Sequence, residues 1–284
     1  MSGEFNQPGM GVTGPTIIHG RLYDGTSFVR RVSARARFTA LAAFLTVSRA
    51  RMGIVISLLR QKPISIRLFG DEYCFEVYRT FTARHPKLPL FQRKSFGTAL
   101  RDLNVPLEMV FDGAHFSSVR RRVRRAERLG YRVVAIDPNQ SHEQIMRINA
   151  SGAIRQGRQM RTDYLDPQKV AAYSAKHATN GSWYGVLDNE GTLRAYCHLA
   201  LVGECCSYSR ILGDPQKLAD GIMYLLVHRT IVEMHQLHRR QGFPRWVMYD
   251  MYLGGLQGLR EFKRRLGFCP NRVRWIWMQE AEIP

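Results

Sequence analysis

The spacing of apolar and polar residues along the 284-residue chain changes period several times, and each change predicts an element. Ile17 to Val32 holds the Asp24-Gly25 turn between apolar pieces and reads as a short hairpin. Ser33 to Leu59 reads as helix, with Gly53 as a candidate break. Ile64 to Phe69 and Tyr73 to Tyr78 are strand-like runs around Gly70-Asp71-Glu72 and predict a second hairpin. Pro86 and Pro89 make Thr82 to Arg93 irregular, and Ser95 to Leu103 fits a short helix.

From Ser117 the pattern sharpens. Ser117 or Ser118 can cap a helix that runs to Leu129 and stops at Gly130. Tyr131 to Asp137 is a β-branched strand, and Ser141-x-x-Gln144 resembles a capping box for a helix to about Ile154. Asp166 suits the N-cap of a helix from Pro167 to His177. Ser182 to Leu187, Thr192 to Val202 and Glu204 to Leu212 are strand-like and separated by tight turns, so they predict an antiparallel meander. Lys217 to Gln241 is a long helix, Trp246 to Leu253 a strand, Leu256 to Leu266 a helix and Arg272 to Met278 a closing strand.

Composition then narrows the class. Forty-two Lys and Arg against 23 Asp and Glu give a net charge of +19, a field that attracts phosphate-rich partners. Nucleic acid, an anionic membrane surface and a phosphorylated ligand are the candidates. Five cysteines without a C-x-x-C pair fit a reduced, cytoplasmic protein. Met1 to Gly14 is Gly-rich and polar, without the apolar centre of a secretory signal, and residues 1–16 read as a flexible tail. Arg49 and Arg51 interrupt the most apolar window, Phe38 to Leu59, so no membrane insertion is expected.

Two basic stretches stand out. The helix from Ser117 carries Arg120, Arg121, Arg122, Arg124, Arg125 and Arg128 around a stripe of Val119, Val123, Ala126 and Leu129. It is either a solvated face or a polyanion contact. Near the C-terminus, Gly254-Gly255 forms a strand-to-helix turn, after which Leu256, Leu259, Phe262 and Leu266 recur on one face. Arg260, Arg264 and Arg265 lie elsewhere on that helix. Lys263 adjoins Phe262, where its ammonium either reaches a cleft or joins a solvated basic face.

The element order from residue 117 resembles the GNAT acyltransferase fold, and more narrowly the FemABX-like aminoacyl-tRNA-dependent transferases. The motifs that carry the likeness are Ser118-Val119-Arg120-Arg121-Arg122-Val123-Arg124-Arg125-Ala126 with Gly130-Tyr131, and Gly258-Leu259-x-x-Phe262-Lys263-x-x-x-Gly267. The resemblance covers about residues 110 to 280. It implies an α+β fold with a mixed, mostly antiparallel sheet flanked by helices in residues 110–284, preceded by an N-terminal α/β extension in 17–109 that packs on it. It also implies transfer of an aminoacyl group from charged tRNA to the amine of a small molecule or peptide, with no cofactor, no metal and no covalent enzyme intermediate. A narrower likeness is to the tRNA-dependent alanyl transferases of pacidamycin-type nucleoside-antibiotic assembly.

In that family the lysine of the Phe-Lys pair contacts the acceptor end of tRNA and supports the charge that develops at the ester. Lys263 matches it, with Phe262 beside it, and a fixed cation near an oxyanion lowers the barrier to aminolysis. Asp250, between Tyr249 and Met251 in the preceding strand, is a candidate proton acceptor or amine anchor, or else a structural aspartate. The candidate tRNA contacts are Arg120, Arg121, Arg122, Arg124, Arg125, Arg260 and Arg264. Arg155, Arg158 and Tyr164, in a polar link near the expected acceptor cleft, and Tyr208 on the third meander strand are the candidate acceptor contacts.

Two rival functions belong to other classes. An acyl-CoA N-acyltransferase needs a glycine-rich loop for pyrophosphate before the long helix. The corresponding stretch here contains Asp214, Pro215 and Asp220, which disfavour phosphate. A non-catalytic nucleic-acid-binding module would use the charge alone. His228, His235 and His238 can share a helix face but lack the carboxylate and spacing of a zincin.

Overall fold

The computed structural model describes residues 52–85, 88–155 and 157–279, with the N-terminal tail, the Asp24-Gly25 hairpin and the start of the first long helix outside that range. The described part of that helix, α1 (residues 52–60), continues through Gly53 without a break. There follow β1 (Ile64–Leu68), α2 (Glu72–Thr82), a small hairpin of β2 (Arg84–His85) and β3 (Leu88–Gln92), and β4 (Phe96–Asp102). Next come α3 (Ser117–Arg128), β5 (Arg132–Ala135), α4 (His142–Ala150), β6 (Ile154–Arg155), β7 (Arg158–Gln159), α5 (Thr162–Leu165) and α6 (Pro167–His177). The chain then forms β8 (Ser182–Leu187), β9 (Leu193–Val202), β10 (Cys205–Gly213), α7 (Ile222–Gln241), β11 (Trp246–Met251), α8 (Gln257–Arg265) and β12 (Cys269–Trp277).

Eight strands form one sheet in the order β1-β12-β4-β11-β10-β9-β8-β5. Only the β1–β12 and β10–β11 pairings are parallel, so the mixed, mostly antiparallel sheet flanked by helices is the architecture observed. The predicted meander is β8-β9-β10, paired antiparallel. Helices α3 and α7 cover one face over a core that includes Val119, Val123, Leu226 and Ile231. Helix α2 packs Cys74 and Phe81 on the opposite face at one end, and α4 and α6 pack Ile145, Ile148 and Val170 at the other. Strands on both sides of residue 109 share this sheet, since β4 lies between β11 and β12.

Several local expectations are corrected. Residues 73–78 are helical: Asp71 caps α2 by accepting from the Cys74 N–H at 3.0 Å, and Cys74, Val77, Tyr78 and Phe81 share one face. That period overrides the strand preference of Tyr, Val and Phe. Ser95 to Leu103 is a strand, because a central strand buried on both sides shows no alternation. Thr98, Ala99, Leu100 and Arg101 are all buried there. Part of Thr82 to Arg93 pairs as β2–β3.

Neither Ser117 nor Ser118 caps α3, whose N-cap is Phe116 without a side-chain bond. Ser141 makes no capping bond, and Gln144 instead accepts from the Leu193 N–H at 2.7 Å. Asp166 does cap α6, accepting from the N–H groups of Gln168 and Lys169. The long helix starts at Ile222 rather than Lys217, after a 3-10 turn at Pro215–Asp220 and a left-handed Gly221.

Candidate active site at the splay of two parallel strands

Strands β10 and β11 pair only through Cys205–Trp246, Cys206–Val247 and Ser207–Met248 and then part. Diverging strands leave a cleft floored by side chains that alternate in direction. At this point β11 departs from regular geometry. Its pairing with β4 shifts between Met248 and Met251, and Asp250 has φ +50°. A non-glycine residue in the left-handed region costs roughly 1 kcal/mol or more, less for aspartate, and persists where contacts impose it. Here those contacts are the ion pair of Asp250 with Lys94 and the Tyr252 N–H bond to Gly97 O at 2.7 Å.

Two cavities of about 400 Å³ open at the splay. The first, on the α2 and α6 face, is charged, with Lys94 and Asp250 at one side and Glu76 and Lys176 at another. Lys176 Nζ donates to Glu76 at 2.8 Å. Tyr73, Tyr173 and Ser209 supply hydroxyls to the same space. Burial pushes the Tyr73 phenol up to about 12 and holds the His177 imidazole below its ordinary range. The second cavity is mostly apolar, lined by Leu212, Met223, Tyr224, Tyr249, Leu259 and Phe262 among others. Consecutive residues of β11 thus serve both: Met248 and Asp250 line the first, Tyr249 the second.

Asp250 is an exposed carboxylate in the first cavity. Desolvation raises its pKa, but the Lys94 charge and hydrogen bond, the Lys263 charge and the Met251 N–H outweigh that effect and hold it below the usual range. It is therefore ionised at neutral pH and a weak proton acceptor. Lys94 is positioned by its backbone, whose carbonyl accepts from Trp275 Nε1 at 2.9 Å and Thr98 Oγ1 at 2.5 Å.

Lys263 lines neither cavity. It is 1% exposed, lies 4.9 Å from the Tyr249 ring centroid and donates to the Met251 carbonyl at 2.9 Å. Desolvation lowers its pKa to about 8, partly opposed by Asp250. The expectation of an ammonium edging into a cleft gives way to a buried cation under the end of β11. Of the expected apolar stripe, Leu266 is buried, Leu259 and Phe262 are half-buried, and Leu256 is 51% exposed. Phe262 meets Tyr224 edge-on at 4.8 Å.

The other candidates separate. Arg120 is tied to the Phe111 and Gly113 carbonyls, and Arg122 lies over Tyr224, a residue of the apolar cavity. Arg125 meets Asp220 at 3.6 Å. Arg121 and Arg124, with Arg128, are exposed on α3 without a side-chain partner among the described residues. Arg264 forms a two-point ion pair with Glu261, and Arg260 reaches the Gly255 carbonyl at 3.4 Å.

Arg155 lines the apolar cavity but spends its guanidinium on the Gly213 and Ile148 carbonyls and Ser151. Arg158 is exposed in the β6–β7 hairpin, and Tyr164 lies under Arg210. Tyr208 lines the charged cavity, while its hydroxyl bonds Thr230 at 2.6 Å on the α7 face.

The loop before α7 is closed on itself. Asp214 caps the 3-10 turn, Asp220 accepts from Tyr131 at 2.9 Å, and a Cβ at Gly221 would meet the Arg122 carbonyl at 2.6 Å. The helix histidines are used apart: His235 bonds the Val105 carbonyl and His228 stacks on Phe111. No group of three metal-ligating side chains occurs among the described residues.

No protein-family model matches the chain, and no curated protein matches it. Among solved structures it is similar to FemX, with a TM-score of 0.47 and 11% identity over 62% of this chain and 59% of that one. It is also similar to L-PGS from Bacillus licheniformis, with a TM-score of 0.41 and 15% identity over 62% of this chain and 58% of that one. An acetyltransferase of Trypanosoma brucei gives 0.35 and 12%, over 52% of this chain and 97% of that one. The chain thus spans less than two thirds of the length of the first two. At such identities the chemistry has to be read from the side chains.

Sequence reading missed most of the charged cavity. Tyr73 and Glu76 lie on a helix that the sequence pattern presents as a strand, and Lys94 falls just before β4, in no predicted element. No spacing rule joins Lys94 to Asp250, 156 residues away. Among the described residues no helix is long and apolar enough to cross a membrane.

Proposed function

We propose that the protein is an aminoacyltransferase that moves an aminoacyl group from charged tRNA to the amine of a small molecule or peptide, as in the antibiotic assembly that the sequence resemblance implies. The observation that carries this reading is the sharing of one strand by two cavities of opposite character. Tyr249 faces the apolar cavity and Asp250 the charged one. A reaction between two separately bound molecules needs such an arrangement, and holding both supplies much of the rate.

In this reading the acceptor amine lies near Asp250, whose ionised carboxylate anchors it. The donor ester enters from the apolar cavity, its terminal base against Tyr224 and Phe262, which form an edge-on aromatic pair. The neutral amine attacks the ester carbonyl, a tetrahedral oxyanion forms, and its collapse breaks the ester C–O bond and releases the ribose hydroxyl. The amine proton leaves to solvent or to the departing oxygen. Lys263 acts as a positioning residue: its bond to the Met251 carbonyl fixes the bend that presents Asp250. The free arginines of α3, on the sheet face that holds the apolar cavity, attract the tRNA backbone.

The test is a transfer assay with a pool of labelled aminoacyl-tRNAs, mixed amines and mass detection. Transfer that RNase abolishes is expected. Transfer from acyl-CoA that RNase leaves unchanged would instead establish the CoA-dependent reading. Salt-sensitive tRNA binding without any transfer would leave a binding module.

A further inference from the structure

Arg210 is 7% exposed and carries a charge for which the described residues offer no counter-ion. Its guanidinium makes no ion pair and no hydrogen bond among them. Its Cζ lies over Tyr173, 3.5 Å from the ring centroid, and 4.7 Å from the Tyr164 centroid. Stacking on aromatic faces holds a guanidinium in place while leaving its in-plane N–H donors unspent. The sealed and unpaired guanidinium nitrogens among the described residues are the Nε atoms of Arg122 and Arg155, and none belongs to Arg210.

A β-bulge decides where this residue points. The β9–β10 register shifts between Tyr208 and Arg210. Tyr208 therefore bonds Thr230 on the α7 side while Arg210 meets Tyr173 on the α6 side. Ser209 and Tyr173, its neighbours in sequence and in space, both line the charged cavity. In that cavity Lys94 pairs with Asp250 and Lys176 with Glu76, two internally neutral pairs. Arg210 does not itself line that cavity; it adds one uncompensated positive charge directly behind the lining residues Ser209 and Tyr173.

We infer that Arg210 binds a carboxylate of the acceptor, so that the acceptor class is amino acids and peptides with a free carboxylate rather than polyamines, amino sugars or nucleotide-linked amines. This rests on the reading of the charged cavity as the acceptor site. The attacking form of such an acceptor, with a free amine and one carboxylate, is a monoanion and matches a single surplus cation. A planar fork suits the two oxygens of a carboxylate, whereas a diphosphate needs more donors than one arginine holds.

The experiment measures equilibrium binding to the full-length protein without any donor. The probes are pooled alanyl dipeptides with free C-termini and the same pool amidated, detected by mass after dialysis. Wild type is expected to bind the acids about tenfold to a hundredfold more tightly than the amides, the usual range for a charge-assisted pair. Arg210→Met should erase that preference, and Arg210→Lys, which keeps the charge but not the fork, should retain only part of it. Equal binding of acids and amides by wild type, or an undiminished preference in Arg210→Met, overturns the inference.

If Arg210→Met does not fold, an undiminished preference in Arg210→Lys does the same. Pyrophosphate should displace the acids no better than acetate; much stronger, Arg210-dependent displacement overturns the carboxylate assignment. Loss of tRNA-dependent transfer alongside intact Arg210-dependent binding would remove the donor reading and leave this one standing.

Discussion

Helices α3 and α8 carry the same signal in sequence, arginines and lysines around a narrow apolar stripe, and the structure spends them in opposite ways. On α3, Arg121, Arg124 and Arg128 face solvent without a partner among the described residues. On α8, Glu261 pairs with both Arg264 and Arg265, while Lys263 is drawn inside. One helix keeps its charge available for a polyanion. The other uses it for local structure. What separates them is a carboxylate three and four residues from two arginines, and the packing of α8 under the end of β11.

The largest effect that would sharpen this contrast is expected from Lys263→Met. In the proposed mechanism it releases the Met251 carbonyl and the Asp250 bend, and transfer falls at least about a hundredfold, as for a mispositioned reacting group. Full activity in the variant would make α8 ordinary scaffolding. Stability supplies an independent readout. The folded pKa of about 8 lies below the ordinary 10.5, so between those values the unfolded chain binds more protons. This group's contribution therefore rises as pH climbs through that window, by up to about 3 kcal/mol. The wild-type-minus-variant difference in urea unfolding should rise accordingly, and a flat difference would mean that Lys263 is not desolvated.

Next in size is the removal of the free charge on α3. Replacing Arg121, Arg124 and Arg128 together by Gln should weaken tRNA binding by roughly tenfold or more and lower the salt slope by about two to three charges. The pair Arg264→Gln and Arg265→Gln should change that slope far less. Equal slopes in the two variants would erase the distinction between the helices.

Smaller again is Lys94→Met. With the Lys94 charge and hydrogen bond gone, less opposes the desolvation that raises the Asp250 pKa, and that pKa rises. The acid limb of the pH–rate profile should move to higher pH, and an unmoved limb would disconnect Asp250 from the reaction.

The smallest effect belongs to Glu261→Gln. The two arginines hold Glu261 down to about 2, so its stabilising share is present above its ordinary 4.5 and is lost as pH falls through about 2. Its side chain is 38% exposed and screened by solvent, so the loss at pH 7 should stay below about 1 kcal/mol in thermal unfolding.

The readable parts of the fold were those whose cause is local. The meander of β8, β9 and β10 has turns and β-branched runs that need no partner to be recognised. Gly130, at φ +84°, ends α3 where its sequence position implied, because a Cβ there is strained. The misread elements, α2 and β4, carry residues whose local preference loses to packing. The Tyr-Cys-Phe-Glu-Val-Tyr run favours a strand in isolation but buries Cys74 and Phe81 only as a helix. Arg101 is tolerated in a buried strand because it donates to the Val110 carbonyl and to the Leu266 carbonyl, the latter 165 residues away.

The sequence by itself determined a basic α+β chain, the order of its elements from residue 117, and the residues Asp250, Phe262 and Lys263 as worth attention. Only the tertiary structure decided what they do. It sent Lys263 inside, joined Asp250 to Lys94, split the splay into a charged and an apolar cavity, and turned Arg210 by a bulge toward Tyr173. Element order follows from short-range periodicity, which a sequence carries. Charge pairing joins segments up to 156 residues apart and burial joins segments farther apart still, such as β1 and β12, which no local pattern encodes.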